Sequence, residues 1–136
     1  MPEPLFLTLA EILEIHNNQV KVYGGKTGLR DLGLLQSAMA QPQASFGGKF
    51  LNEDLYTMAA YAFHIAQNHP FIDGNKRTGL VAALVFLEMN HISIHDPKQK
   101  LLKGMLEMAE GKIDKIGLAQ ILRSLRTSGK EASQDF

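Results

Sequence analysis

The sequence predicts an all-α fold, and three observations lead there. Apolar residues recur at the three- and four-residue spacing of a helix face along most of the 136-residue chain. Side chains able to cap a helix N-terminus stand ahead of these stretches, and glycine or proline closes them. The expectation is a compact six-helix bundle over residues 1–126 with a polar tail at 127–136.

Thr8-Leu9-Ala10-Glu11 reads as a capping box, with Leu7 placed as a hydrophobic staple. The first helix runs to about Tyr23 with Ile12, Ile15 and Val22 on one face, and Gly24-Gly25 stops it. Asp31 caps a second, shorter helix whose apolar positions are Leu32, Leu35, Ala38 and Met39; Pro42 ends it. Gln43 to Leu51 has no helical period and contains Gly47-Gly48, so an exposed loop or short hairpin is expected. A third helix opens at Asn52 and continues to Asn68, turning Leu55, Met58, Ala59, Ala62, Phe63 and Ala66 inward. It ends near His69, because a residue before proline resists the α conformation.

The fourth helix, from about Asn75 to Met89, is apolar on nearly every side beyond its first turn, the mark of a central buried helix. Asn90 stops it. Asp96-Pro97 caps a fifth helix reaching Ala109, with Gly111 beyond, and Asp114 begins a sixth that carries Ile121, Leu122 and Leu125.

Composition narrows the function. Fourteen basic residues balance fourteen acidic ones, so a protein that coats nucleic acid is disfavoured. With no cysteine, disulfides and thiolate metal sites are excluded, which fits a reducing cytoplasm. No signal peptide is visible, and the longest apolar run, Leu80 to Leu87, is too short to span a bilayer. A cytoplasmic domain without direct nucleic-acid or membrane contact is expected.

The chemistry concentrates in His69-Pro70-Phe71-Ile72-Asp73-Gly74-Asn75-Lys76-Arg77-Thr78-Gly79, between two helical segments. Histidine exchanges a proton near neutral pH, so His69 is the candidate general base for a hydroxyl. Asp73 offers hard oxygens to Mg²⁺, which commonly sits between one or two carboxylates and substrate phosphates. Gly74 lets the backbone approach a ligand closely. Asn75, Lys76 and Arg77 open the next helix, where unpaired N–H groups and the helix dipole favour an anion. Arg77 can grip a phosphate with two parallel bonds while Lys76 acts as a point charge. Phe71 and Ile72 anchor the loop. The bland reading, a turn at Asp73-Gly74 with solvated cations, explains the parts singly but not the set.

This stretch resembles the signature of the Fic/Doc superfamily, His-x-Phe-x-Asp/Glu-Gly/Ala-Asn-Lys/Gly-Arg in a loop between two helices. His69, Phe71, Asp73, Asn75 and Arg77 meet its defining positions. Leu7-Thr8 with His16, Gly28-Leu29-Arg30-Asp31, Leu34 to Ala38 and Gln41-Pro42 are similar to the N-terminal half of the death-on-curing branch. The resemblance implies an all-α Fic/Doc-type bundle, catalysis by His69, a metal on Asp73, and ATP phosphates held by Gly74, Asn75, Lys76 and Arg77. Adenylyl-transferring members carry glycine where this chain has Lys76, and a second arginine where it has Leu80. The death-on-curing branch is similar to this chain at both positions, and implies phosphorylation of elongation factor Tu with the γ-phosphate facing the histidine. Gly74, where alanine is common in that branch, keeps AMP transfer open as the alternative. A non-catalytic module that binds its antitoxin is a second alternative.

The same resemblance makes Gln43 to Phe50 a flap that pairs with the target's backbone. A self-silencing segment, Ser/Thr-x-x-x-Glu-Gly/Asn, is approached only by Thr127 to Glu131, where Ala132 follows. Inhibition is therefore expected from a separate antitoxin with a disordered tail that folds on binding. Other features read as bland. His16 is expected on the surface, and His64 in core or edge packing. His91 and His95 do not form a helical metal pair, and Met105 and Met108 belong to the core. Gly25-Lys26-Thr27 mimics the end of a phosphate loop without its upstream glycine.

Overall fold

A computed structural model describes residues 3–51, 54–59 and 61–127. Seven α-helical segments follow one another there: α1 (Leu9–Tyr23), α2 (Leu32–Ala40), α3 (Leu55–Met58), α4 (Tyr61–Asn68), α5 (Asn75–Met89), α6 (Lys100–Ala109) and α7 (Lys115–Ser124). A 3₁₀ turn at Gln41–Gln43 follows α2, and the strands Ser45–Phe46 and Lys49–Phe50 form a hairpin. The third expected helix is thus in two pieces. α3 closes at Ala59, whose ψ of 29° leaves the helical range. The expected opening at Asn52 and the tail beyond Thr127 lie outside the described residues.

Local chemistry sets the helix ends. Thr8 accepts from the Glu11 N–H while the Glu11 carboxylate accepts from the Thr8 N–H, completing the capping box. Asp31, Asp54 and Asp114 cap α2, α3 and α7 through their side chains. Asp96 reaches forward to accept from the N–H groups of Lys100 and Leu101, so it caps α6 from three residues outside the cap position. Gly47 and Gly48 both have positive φ, 62° and 80°, the requirement of a two-residue type I′ hairpin turn.

α5 runs through the core with Ala82, Ala83, Phe86 and Leu87 fully buried, as its all-round apolar surface predicts. It packs closest on α4 because Gly79 has no side chain: a Cβ there would lie 3.0 Å from the Ala62 carbonyl oxygen. On α1 the buried face is Ile12, His16 and Val20, and the expected Val22 is 62% exposed. Four-residue steps keep the face on α5, whereas Val22 is rotated off it. Similarly Leu32 faces out at the start of α2 while Leu35 and Ala38 are buried. α7 turns Leu118, Ala119 and Leu122 inward, and its exit is tied to the segment before α6 by an Ile94–Arg126 bridge. Among the described residues no helix is long and apolar enough to cross a membrane.

Candidate active site

The loop from His69 to Gly74 joins α4 to α5, and its first half is stitched to the segment ahead of α2. The Pro70 carbonyl accepts from the N–H groups of Arg30 (2.7 Å) and Asp31 (3.0 Å), and the Ile72 N–H donates to Gly28 (3.1 Å). Leu29 and Phe71 pair as an antiparallel bridge. Gly28 permits this approach, since at φ +128° a Cβ would sit 3.0 Å from the Ile72 side chain. Arg30 spans the end of α4, donating from Nε to the His69 carbonyl (2.7 Å) and from Nη2 to that of Asn68 (3.0 Å). A cation there also suits the negative end of the helix dipole. His69 ends the helix with φ +50°, a left-handed conformation in which its ring is exposed.

The second half is held from inside. Phe71 is buried and its ring stacks on His16, centroids 3.8 Å apart at 7°. His16 Nε2 donates to the Asp73 carbonyl at 2.8 Å, so the proton sits on Nε2. The expected surface position of His16 is therefore corrected: it is 2% exposed and supports the loop. The signal was its four-residue spacing from Ile12 and Val20.

Asn75 also supports the loop from inside. Its buried side chain accepts from the Phe71 N–H and donates to the Phe71 carbonyl, both at 2.9 Å, closing the loop on itself. Only its main chain, at the first position of α5, remains for a phosphate.

The remaining motif residues meet at one cleft of about 570 Å³, where His69, Asp73, Gly74, Lys76 and Arg77 lie beside Tyr23. Gly74 enters α5 in the left-handed conformation, φ +76°, and no side chain caps that helix. The N-terminal N–H groups are thus presented beside two cations, an arrangement that suits an anion. The Arg77 guanidinium lies over the Tyr23 ring at 4.0 Å, a cation–π contact that orients it beside the cleft.

Asp73 anchors one carboxylate oxygen on the Lys26 N–H at 3.0 Å. The other is free to meet a hard cation. No cluster of three or more His, Cys, Asp or Glu forms among the described residues. The donor set fits Mg²⁺ held by one carboxylate together with phosphate oxygens rather than an all-protein cage. Lys26 thus meets the site through its backbone N–H, which braces the Asp73 carboxylate.

The other histidines stand apart. Burial pushes the His64 imidazole down to about 4, with the nearby Lys115 charge adding to it, and its Nε2 is buried without a hydrogen-bond partner. His91 turns the chain after α5 with φ +70°.

The sequence profile described as the Fic/DOC family matches residues 6–87, which include α1, α2 and all of the motif loop. The chain is 30% identical over 120 residues to a protein named "Protein kinase doc" from Escherichia phage P1, covering 88% of this chain and 94% of that protein. It is 41% identical over 73 residues to one named "Toxin Doc" from Mycolicibacterium smegmatis, covering 53% of this chain and 56% of that one.

Proposed function

Because the chain belongs to the Fic/DOC family, we propose that it is a toxin-type transferase that moves the γ-phosphoryl group of Mg-ATP to a protein hydroxyl. The target class is a translation factor, of the elongation factor Tu kind, whose modification arrests translation. One observation carries the reading: a single cleft gathers an exposed histidine, a single free carboxylate oxygen, an uncapped helix N-terminus and two cations. That set matches the needs of phosphoryl transfer, which is mostly positioning and charge stabilisation.

Each residue has a task. His69 takes the proton from the incoming hydroxyl. Asp73 holds the metal, with Lys26 and His16 keeping its carboxylate and backbone in place. Lys76, Arg77 and the first N–H groups of α5, with Gly74 giving close approach, offset the charge on the phosphate oxygens. When bound, Mg-ATP supplies the transferable group and the metal's positive charge. The hairpin of residues 45–50 serves as the flap on which the target's backbone docks, its strand edge offering hydrogen bonds independent of target sequence. Control comes from a separate antitoxin whose disordered tail folds onto the protein.

The test uses purified protein, a bacterial translation extract and Mg-ATP labelled at either the γ- or the α-phosphate. Label should reach a protein from the γ position alone, and His69→Ala should cut transfer by about 10²–10⁴-fold. Label from the α position would replace this reading with AMP transfer. Growth arrest that survives His69→Ala would leave only a binding module.

A further inference from the structure

His16 meets the loop from α1 with its ring inside the protein, stacked on Phe71, and its Nε2 donates to the Asp73 carbonyl. That bond fixes more than the place of Asp73. The peptide joining Asp73 to Gly74 is trans, so its N–H points opposite to its carbonyl. With the oxygen drawn inward to α1, the Gly74 N–H is turned the other way, toward the cleft that both residues line. Among the described residues no main-chain acceptor meets that N–H, nor those of Asn75, Lys76 and Arg77 behind it.

Gly74 does not itself decide which way this peptide faces. Its φ of +76° is a value glycine adopts about as readily as a negative one, so the peptide plane can rotate at modest cost. Rotated by half a turn, it would aim the Asp73 oxygen at the cleft and the N–H at the core. An oxygen there repels an anion where an N–H binds one. Resting on the phosphoryl-transfer reading above, we infer that His16 is a positioning residue for the reaction. By holding the Asp73 carbonyl in the core, it keeps the Gly74 N–H aimed at the transferred phosphoryl group.

The surroundings of the bond suit that task. The Asp73 carboxylate is tied separately, by the Lys26 N–H, which leaves the bond from His16 to govern the peptide plane. The stack on Phe71, at 3.8 Å and 7°, sets the plane of the imidazole and with it the direction of the Nε2–H. At 2% exposure the ring lets little water compete for the carbonyl, and a hydrogen bond shielded in this way is the stronger for it. A Cβ at position 74 would lie 3.5 Å from Val20 and 3.8 Å from the His16 ring, so α1 backs the glycine closely.

His16→Phe keeps a ring for the stack and removes the donor, while His16→Gln returns a donor at nearly the reach of Nε2. The parent and both variants are compared by heteronuclear NMR of the Gly74 amide during titration with Mg-tripolyphosphate. Calorimetry with the same probe and the rate of label transfer accompany it. In the parent the Gly74 resonance should move as the probe binds. In His16→Phe it should stay, with affinity weakened roughly tenfold and kcat lowered by about 10²-fold, and His16→Gln should regain most of both. Lost stability with the Gly74 response and the affinity of the parent would overturn the inference and leave His16 a packing residue. A parent whose Gly74 amide ignores a bound probe would overturn it too, whether or not the variants fold, and would leave anion binding and the transfer reading in place. A parent that neither binds tripolyphosphate nor labels a target would instead remove the reading on which the inference rests.

Discussion

Two of the segments that join the helices are built on opposite principles. The loop from His69 to Gly74 is tied to α1, to the segment ahead of α2 and to α5 by main-chain bonds, a ring stack and an amide clamp. The hairpin from Ser45 to Phe50 is closed on itself, by its strand pairing and by the Leu51 N–H on the Ala44 carbonyl at 2.8 Å. Its Phe50 ring rests near that of Phe6, 5.8 Å between centroids, while Phe46 is 83% exposed. A proton acceptor must be held within a fraction of an ångström of its productive position, which needs support from several elements. A surface that accepts another chain needs free strand edge and freedom to adjust, and gains nothing from such bracing.

The largest effect should come from removing the loop's anchor. Phe71→Ala deletes a ring that is 2% exposed and stacked on His16, and should cost roughly 3–5 kcal/mol by chemical denaturation. If the loss were below about 1 kcal/mol, the loop would not be held from the core in the way the stack implies.

Asn75→Ala should follow. It leaves both the N–H and the carbonyl of Phe71 without the bonds they now make, at a cost of about 1–3 kcal/mol. Transfer activity should fall more than stability predicts, because Asp73 and His69 flank the released segment. A variant that lost stability yet kept full activity would show that the loop's shape is set elsewhere.

These two residues also mark how far the sequence could be read. Helix ends were legible because capping is local: Thr8, Asp31, Asp96 and Asp114 act on N–H groups within five residues of themselves. The hairpin was legible for the same reason, since two adjacent glycines specify its turn. Long-range support was not. His16 meets Asp73 across 57 positions, and Arg30 meets His69 across 39, and no spacing rule links such partners. The clamp made by the Asn75 side chain was hidden too, because an amide can satisfy a nearby N–H and carbonyl at once and its spacing does not say so. The splitting of the third helix was equally hidden, since its apolar spacing continues across the interruption at Ala59.

A smaller effect tests the helix that enters the loop. Burial first, and the Lys115 charge second, lower the His64 pKa to about 4 from its ordinary 6.5. The unfolded chain binds that proton more readily, so stability from this group is complete above about 6.5 and is lost progressively as pH falls toward 4. Asp54 acts in a lower window. Burial opposes ionisation there, but bonds from Thr57 and the Arg123 charge outweigh it, so its stability is lost as pH falls below its ordinary 3.8. His64→Gln should flatten the stability profile between pH 6.5 and 4 and leave the loss tied to Asp54 at lower pH intact. An unchanged slope in the upper window would assign it to another group.

The smallest effect on the fold belongs to the hairpin, and there the contrast between the two segments becomes decisive. Phe46 makes so little contact with its own chain, at 83% exposure, that Phe46→Ser should change stability by less than about 0.5 kcal/mol. The side chain lies on a two-residue strand whose outer edge is the proposed docking surface. Truncation should therefore raise the KM for the protein target while leaving Mg-ATP affinity, measured without target, as in the parent. A matching fall in ATP affinity would mean the hairpin shapes the nucleotide cleft, and the division of labour between braced loop and free hairpin would fail. An unchanged KM would instead move target recognition to another face of the molecule, with the braced loop still supplying the chemistry.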